Sequence, residues 1–327
     1  MMRRINVGII GCGDVTERKS GPAFQKVKGS NLYAVMRRDE DKLKDYAQRH
    51  GVDRYSTDYL DLLQDPAIDL IYIATPPDKH CFYTLEAARH GKAVYVEKPM
   101  GVTVAECGEM IQVCEDENVP LFVAYYRREQ EKFKKVKELI ETGALGGIRS
   151  FSYQYTSSLP KPNASRSWLL DKEVSGGGQL YDIGSHMIDT MLFLFGDVKM
   201  ATGTSSNQSE AYRVNDNTSG LIQFVNGVQG TLQLTFNGYH REDAMTVIGD
   251  KGSVVFSIMS NDPLMLYTEE GVEEFVFDPM DHVQMPLITR VIDTLLDNDN
   301  YEADGVYGLR TQEILETFEN SESIQYE

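Results

Sequence analysis

Three ionisable side chains of this chain stand where they could carry out proton transfer. Lys98 ends the apolar run AVYVEK at 93–98. A side chain that leaves such a strand reaches the carboxyl edge of a sheet, where open α/β sheets bind their ligands. Asp182 and His186 are four residues apart in the helical pattern YDIGSHMIDTMLFLFG at 181–196, so a helix presents both on one face. A lysine and a carboxylate-supported imidazole can exchange a proton with a reacting hydroxyl or carbonyl oxygen.

Each of these residues also has a purely structural interpretation. Lys98, which precedes a proline, could occupy a solvated surface turn. Asp182 could cap a helix, and His186 could be a partly buried structural histidine. Three glycines at 176–178 come before this helix and indicate a backbone that passes close to another group. The elements that position these residues must decide between chemistry and packing.

Apolar runs alternate with helical patterns through the first part of the chain. The runs INVGII, NLYAVM, IDLIYIATPP, AVYVEK and PLFVAYY are separated by helical segments such as 39–51, 79–92 and 104–119. Strands and helices that alternate at this spacing form a parallel sheet with right-handed crossovers, and near-continuous apolar strands fit burial on both faces. The sequence therefore predicts a doubly wound Rossmann domain over residues 1–124, of the dinucleotide-binding type.

The second part of the chain has the pattern of an antiparallel sheet. Runs with strand character lie between 148 and 270, and the alternation TLQLTF at 231–236 is typical of strands with one solvated face. We therefore predict a C-terminal α+β domain over 125–327, with a large open, mostly antiparallel sheet for substrate binding and oligomerisation. Its C-terminal helix could pack back on the first domain. An open sheet face left wet would be a large exposed patch, which favours a homo-dimer or homo-tetramer.

A glycine turn follows the first strand. Gly11 and Gly13 provide the tight turn and the close backbone approach that a pyrophosphate needs. The third glycine of the full pattern is absent, since Thr16 stands there. A GxG pair alone is weak evidence, but its position after the first strand of a βαβ series favours a dinucleotide.

The end of the second strand bears on which dinucleotide binds. An NAD site usually carries an acidic residue about 20 residues past the glycines, whereas this strand runs into Arg37 and Arg38. A guanidinium pairs with a 2′-phosphate, and an acid would repel it. NADP is therefore favoured over NAD, although both arginines could simply be solvated. Asp39 is expected to cap the next helix.

Composition excludes several classes of partner. The 327 residues suit two domains, and 50 acidic against 32 basic side chains give a formal net charge of −18. Such a field repels nucleic acid and anionic membranes. No run approaches the roughly 20 apolar residues of a membrane span, and the N-terminal run is too short for a signal peptide. Four cysteines without CxxC spacing indicate neither a metal site nor disulfides, so a cytoplasmic location is expected.

These motifs, in this order, resemble those of the Gfo/Idh/MocA oxidoreductases. The resemblance rests on the glycine turn, on Glu97-Lys98-Pro99, and on the Asp182-x-x-x-His186 spacing after a glycine run, and it covers essentially the whole chain. It implies an NAD(P)-dependent enzyme that acts on CH–OH groups of a sugar, cyclitol or diol, with a cis peptide often preceding the proline.

The resemblance also implies residue roles. Lys98 would be the acid/base or relay partner, His186 the main proton donor or acceptor, and Asp182 the group that orients the substrate. The substrate-binding residues expected are Lys98, Tyr126, Arg128, Asp182 and His186. The cofactor-binding residues expected are Gly11, Cys12, Gly13, Asp14, Val15, Arg37, Arg38, Ala74, Thr75, Pro76, His80, Glu97, Lys98, Arg127 and Trp168. His80 follows the third apolar run and could equally be a packing or capping residue.

Two other functions remain open at this point. Some relatives with this fold are glycosidases that keep a tightly held NAD, but an enzyme that recycles bound NAD has little need of Arg37 and Arg38. A cofactor-sensing or sugar-sensing protein without turnover is the other, although it would not need Lys98, Asp182 and His186 together. The loop TSSLPKPNASRSW at 156–168 is expected to set the substrate, and it carries no readable pattern.

Overall fold

The computed structural model describes residues 3–161, 166–297, 301 and 305–326 and divides the chain into two compact units. Unit 1 comprises Met1–Tyr126 and Met280–Leu309, and unit 2 comprises Arg127–Pro279 and Arg310–Glu327. The expected division at residue 124 placed everything beyond it in the second domain. The structure instead returns the segment Met280–Leu309 to unit 1.

The parallel sheet of unit 1 has the predicted doubly wound topology. Its six strands lie in the order β3-β2-β1-β4-β5-β6, and all pairs are parallel. The strands are β1 Ile5–Ile10, β2 Ser30–Met36, β3 Arg54–Ser56, β4 Leu70–Ile73, β5 Ala93–Val96 and β6 Leu121–Val123. Strands β4, β5 and β6 are buried at every residue, as their continuous apolar sequence predicts.

Helices cover both faces of this sheet, and separate apolar clusters lie on the two sides. The helices are α1 Asp14–Arg18, α2 Gly21–Lys26, α3 Glu40–His50, α4 Leu60–Leu63, α5 His80–Arg89, α6 Val104–Asp116 and, from the C-terminal segment, α10 Met285–Leu295. One face of α10 buries Leu287, Ile288, Val291 and Ile292 in the cluster that contains Phe24 and Tyr95. This apolar stripe explains why the segment belongs to unit 1.

Unit 2 is built on a nine-stranded sheet in the order β14-β13-β12-β11-β7-β10-β9-β8-β15. The strands are β7 Ile148–Thr156, β8 Val198–Ser206, β9 Asn217–Phe224, β10 Gln229–Thr235, β11 Glu242–Gly249, β12 Gly252–Phe256, β13 Leu264–Thr268, β14 Gly271–Phe275 and β15 Ser323–Gln325. The β7–β10 pair is parallel and the others are antiparallel. The unit also contains α7 Glu131–Glu141, α8 Lys172–Ser175 and α9 Ser185–Phe195, and the last helix of the chain is α11 Gly305–Glu319.

The two faces of the nine-stranded sheet differ in chemistry. One face carries Phe151, Tyr153 and Leu232 into the core that α7, α9 and the end of α11 complete. The other face presents hydroxyl and amide groups such as Ser152 and Gln233. On β10 and the middle of β7, the residues that alternate with the core positions are serine, threonine and glutamine, so the expected patch is polar there. Towards the β14 edge the same face carries Ile248, Val255, Met265 and Tyr267, of which Ile248 is 44% and Tyr267 is 40% exposed. Self-association remains a prediction.

A buried lysine predicts how the stability of the protein depends on pH. The ammonium of Lys132 on α7 donates to Ser257 Oγ at 2.6 Å and to the carbonyl oxygen of Asp262 at 2.9 Å. Burial lowers the pKa of Lys132 to about 8, whereas an unfolded lysine titrates at about 10.4. Between these values the unfolded chain binds more protons, so the free energy of unfolding should rise with pH across that window.

Comparison with Lys132→Met isolates this contribution from other groups. The stability of the wild type relative to the variant, measured by urea unfolding, should be larger at about pH 10 than at about pH 7. An equal difference at both pH values would mean that Lys132 titrates normally.

Candidate functional site

The glycine turn of unit 1 joins β1 to α1. Gly11 has φ +92°, and a Cβ at this position would lie 2.8 Å from Thr75 Cγ2 and 3.0 Å from the backbone of Ala74. The fold therefore requires a glycine at 11. A Cβ on Gly13 would meet only the Gly11 carbonyl oxygen, at 3.8 Å. No packing within the described residues explains Gly13, and this open space fits the close passage of a pyrophosphate.

Thr16, which replaces the third glycine, has a clear structural role. Its hydroxyl accepts from Gly13 N at 3.0 Å and donates to Gly13 O at 2.9 Å, so it closes the turn from inside. Tyr46 Oη donates to the Thr16 carbonyl oxygen. Helix α1 ends after one turn, and α2 starts separately at Gly21 with Pro22 in its first turn, a position that suits a proline because its missing N–H has no helical partner there.

Two glycine variants should separate folding from cofactor binding. Gly11→Ala forces a side chain into a left-handed backbone and against β4, so we expect a loss of about 1–3 kcal/mol of stability. Gly13→Ala should keep the thermal unfolding midpoint and weaken binding of NADPH by about tenfold. Thermal unfolding and fluorescence titration measure the two effects. If Gly13→Ala bound NADPH with wild-type affinity, the glycine turn would not be a phosphate site.

The end of β2 carries two arginines, and the acid that follows them caps the next helix. Arg37 is half-buried, and its Nη1 donates to the Cys12 carbonyl oxygen at 3.0 Å, so its guanidinium lies beside the glycine turn. Arg38 is exposed. Asp39 caps α3 as predicted: its carboxylate accepts from Lys42 N and pairs with the Lys42 ammonium at 3.0 Å. Its pKa is lowered by these contacts with Lys42.

The residues at the ends of β4 and β5 are joined by His80. Its Nε2 lies 2.9 Å from the carbonyl oxygen of Thr75, and its Nδ1 lies 2.9 Å from that of Pro99. The ring is 1% exposed, and burial lowers the pKa of His80. His80 was predicted to contact the cofactor or to serve in packing. Both of its nitrogens face protein carbonyl groups, so it braces the two loops.

The turn after β5 carries Lys98, which is half-buried. The Lys98–Pro99 peptide bond is cis. Glu97 is 5% exposed, and its Oε1 accepts from Tyr72 Oη at 2.6 Å and from Gln284 Nε2. The carboxylate of Glu97 is thus engaged by protein donors.

The other residues predicted to bind the cofactor or the substrate from unit 1 lie on or next to the same strand ends. In the glycine turn and α1, Cys12 is buried, Asp14 is exposed and Val15 is half-buried. Ala74, Thr75 and Pro76 follow β4 and are half-buried. Tyr126 is 5% exposed and packs in an apolar cluster of unit 1.

In unit 2 the predicted helix at 181–196 is interrupted at its start. Residues Leu180–Gly184 form a π-helical turn, and α9 follows from Ser185. Asp182 lies in the π turn and His186 in the first turn of α9, so their offset differs from that of a regular helix. Single π turns inside helices occur often at functional sites. His186 is 3% exposed.

The glycines at 176–178 approach the protein itself. A Cβ on Gly177 would lie 2.4 Å from the Tyr181 ring, and one on Gly178 would lie 2.7 Å from Val214. The close approach predicted from the glycine run is therefore to side chains of unit 2.

Arg166, which the sequence did not single out, contacts the predicted site residue Asp182. Its Nη2 pairs with the Asp182 carboxylate, whose side chain is 17% exposed. Arg166 belongs to the loop at 156–168 expected to set the substrate, and positions 162–165 of that loop lie outside the described residues. Trp168 is half-buried on the turn Ser167–Leu170.

Arg127 and Arg128 are held by unit 2. Arg127 is 8% exposed, and its Nη1 donates to the Ile258 carbonyl oxygen. Arg128 contacts Asp189 on α9, with 2.8 Å from Nε and 2.6 Å from Nη2 to Oδ1. Asp189 is 1% exposed; burial raises the pKa of its carboxyl, and the charge of Arg128 opposes that shift. Because Asp189 is one turn beyond His186, this ion pair anchors the helix that carries the histidine.

The described residues contain no group of three or more histidine, cysteine or acidic side chains placed to hold a metal ion. None of their helices has both the length and the apolar character of a membrane span.

Comparison with known proteins matches both parts of the chain to family models. Residues 5–125 match the model "Oxidoreductase family, NAD-binding Rossmann fold", and residues 133–255 match the "GFO/IDH/MocA C-terminal domain". Oxidoreductase P35 of Formosa agariphila is 38% identical over 298 residues, which cover 89% of this chain and 91% of that protein.

Two further proteins illustrate the range of similar molecules. The scyllo-inositol 2-dehydrogenase (NADP(+)) IolW of Bacillus subtilis is 32% identical over 207 residues, which cover 63% of this chain and 56% of that protein. A solved structure of levoglucosan dehydrogenase in complex with NADH and L-sorbose superposes with a TM-score of 0.89 at 22% identity, covering 99% of both chains. The latter similarity concerns the fold.

Proposed function

Because the chain belongs to the GFO/IDH/MocA oxidoreductase family, we propose that it transfers a hydride between NADP(H) and a hydroxyl-bearing carbon of a sugar, cyclitol or related diol. Members of this family are NAD(P)-dependent oxidoreductases that act on CH–OH groups, and this chain is one of them. The choice of NADP, the residues that handle the proton and the substrate class are our assignment.

The preference for NADP rests on the end of β2. Arg37 and Arg38 place two positive charges there. The carboxylate of Asp39 caps α3 and pairs with Lys42. An NAD site needs a free acid at this point to bind the ribose hydroxyls. A guanidinium retains donors for a phosphate even when one nitrogen is bonded elsewhere, because it has five N–H groups.

The acid–base chemistry of the reaction is assigned to Lys98 and His186. When bound, the nicotinamide supplies or accepts the hydride. During reduction, the Lys98 ammonium stabilises the negative charge that develops on the carbonyl oxygen, and His186 delivers the proton to that oxygen. Asp182 orients the substrate hydroxyls, with Arg166 holding its carboxylate. In the direction of oxidation His186 takes the hydroxyl proton.

Several residues predicted to contact the cofactor or the substrate are better assigned to a structural role. Arg127, Arg128 and Glu97 have their charged groups bonded within the protein. We propose that they hold the elements that carry the reacting groups. The four cysteines are buried free thiols, which supports a cytoplasmic location, and self-association as a dimer or tetramer is part of the proposal.

Cofactor binding and a substrate screen test this function. Purified protein should bind NADPH at least about tenfold more tightly than NADH in fluorescence titrations at equal salt. A screen with NADP(H) should include scyllo-inositol, levoglucosan and L-sorbose, the compounds in the names of the similar proteins. Tighter binding of NADH than of NADPH would contradict the assignment of Arg37 and Arg38 to the 2′-phosphate. If the protein bound neither cofactor, the proposed redox function would be wrong.

A further inference from the structure

A buried hydrogen-bond network of four side chains adjoins the turn that carries Lys98. Tyr95 Oη donates to Gln284 Oε1 at 3.1 Å, Gln284 Nε2 donates to Glu97 Oε1, and Tyr72 Oη donates to the same Oε1 at 2.6 Å. Lys98 N donates to Glu97 Oε2 at 3.2 Å. Gln284, Tyr72 and Tyr95 are fully buried, and Glu97 is 5% exposed.

The orientation of the Gln284 amide follows from its partners. A carboxylate only accepts hydrogen bonds, so the amide nitrogen must face Glu97 and the amide oxygen must face the Tyr95 hydroxyl. Burial, followed by the nearby charge of Glu97, raises the pKa of both tyrosines well above the ordinary value, so both remain donors. The donor and the acceptor of every hydrogen bond in this network are therefore fixed.

The position of Glu97 explains why these donors matter for its neighbour. Glu97 N still donates to the Ile73 carbonyl oxygen, so the backbone of the sheet holds the chain up to this residue. Beyond it, Lys98 gives its N–H to the Glu97 carboxylate, and Pro99 has no N–H to give. The carboxylate is thus one anchor for the backbone of Lys98, alongside the bond between His80 and the Pro99 carbonyl oxygen, and Gln284 and Tyr72 fix its position.

We propose that Gln284 is a positioning residue for Lys98, acting through the carboxylate of Glu97. The inference rests on the proposed function, in which Lys98 acts on the reacting oxygen. Gln284 precedes α10, 187 residues from Glu97 in sequence. A segment distant in sequence therefore sets the geometry of the lysine in the turn after β5.

Two variants and two controls test the proposal. Gln284→Leu removes the amide donor, and Tyr72→Phe removes the second donor to the same oxygen while keeping the ring in place. Tyr95→Phe leaves the bond between Gln284 and Glu97 intact. Gln112→Leu is the matched surface control, because Gln112 donates to the Asp116 carboxylate at 2.9 Å on the exposed face of α6.

Two readouts report on Lys98 without a known substrate. The first is the rate at which the Lys98 amine reacts with trinitrobenzenesulfonate, read by peptide mass mapping. The second is the emission of bound NADPH, with Lys98→Met defining the spectrum without the ammonium. Gln284→Leu and Tyr72→Phe should change the labelling rate about fivefold and shift the emission towards that of Lys98→Met, with the Kd of NADPH within about twofold. Both controls should resemble the wild type.

The outcomes separate this inference from the proposed function. Wild-type labelling and emission in both variants, with only a lower thermal midpoint, would reduce Gln284 to a packing role. If the wild type failed to bind NADPH, the proposed function would fall, and the labelling rates would still decide whether Gln284 positions Lys98. If Lys98→Met left the emission unchanged, the placement of Lys98 beside the nicotinamide would fall, and the labelling rates would again decide the role of Gln284.

Discussion

Lys98→Met is expected to lower kcat by about 10²–10⁴-fold on the best substrate of the screen, and His186→Asn should have an effect of similar size. The methionine keeps the length and packing of the lysine and removes the charge that stabilises the developing alkoxide. The asparagine removes the group that delivers the proton. Neither residue is expected to contribute much to binding of the adenosine half, so the Kd of NADPH should stay within about threefold.

A control and a double variant sharpen this prediction. Lys44→Met removes an exposed lysine that pairs with Glu40 on α3, and it should leave kcat unchanged. If Lys98 and His186 act on the same oxygen, the double variant should lose much less than the product of the two single losses. Unchanged turnover in both single variants would exclude the proposed mechanism.

Arg37→Ala and Arg38→Ala should each weaken NADPH about tenfold and leave NADH within about twofold. Only NADPH carries the 2′-phosphate, so a loss confined to NADPH assigns the guanidinium groups to that phosphate. The difference should shrink as salt is added, because the contact is between charges near solvent. Fluorescence titration of both cofactors at two ionic strengths measures it.

Arg54→Ala is the matched control for these variants. Arg54 begins the neighbouring strand β3 beside Ala34 of β2, and its guanidinium lies 4.5 Å from the centre of the Tyr33 ring and 3.8 Å from the Asp65 carboxylate. The Arg54→Ala variant removes the same charge from the same sheet, and it should change the affinity for neither NADPH nor NADH. Equal losses of NADPH and NADH in Arg37→Ala and Arg38→Ala would place the two arginines elsewhere on the nucleotide or in the fold.

Much of unit 1 could be predicted from sequence because its signals are strong. Strands β4 and β5 are buried on both faces, so their residues are apolar without interruption. Asp39 and Gly51 mark the two ends of α3 by capping chemistry, and the helix occupies Glu40–His50 as expected. Strand β3 was missed because RYS at 54–56 is short and largely exposed, so it has no apolar pattern.

The site was less predictable than the fold. The lysine and the Asp182–His186 pair stand out by residue type and spacing, but the π turn that changes their offset leaves no trace in an apolar periodicity of 3.6. The contact between Gln284 and Glu97 joins residues 187 positions apart; Glu97 belongs to a recognisable motif, but nothing local marks Gln284. Such contacts depend on how α10 packs, which is decided by tertiary structure.

The return of the segment Met280–Leu309 to unit 1 has a consequence for biosynthesis. A ribosome releases the chain from its amino end, and 153 residues lie between Tyr126 and Met280, as 280 − 126 − 1 gives. At about 5–20 residues per second, unit 1 waits roughly 8–30 s for its last piece. During that interval the surface that α10 later covers is open to water, and Glu97 lacks Gln284. The nascent dinucleotide-binding unit should therefore expose this apolar surface until α10 has been synthesised, and a fragment cut after β6 would leave it uncovered.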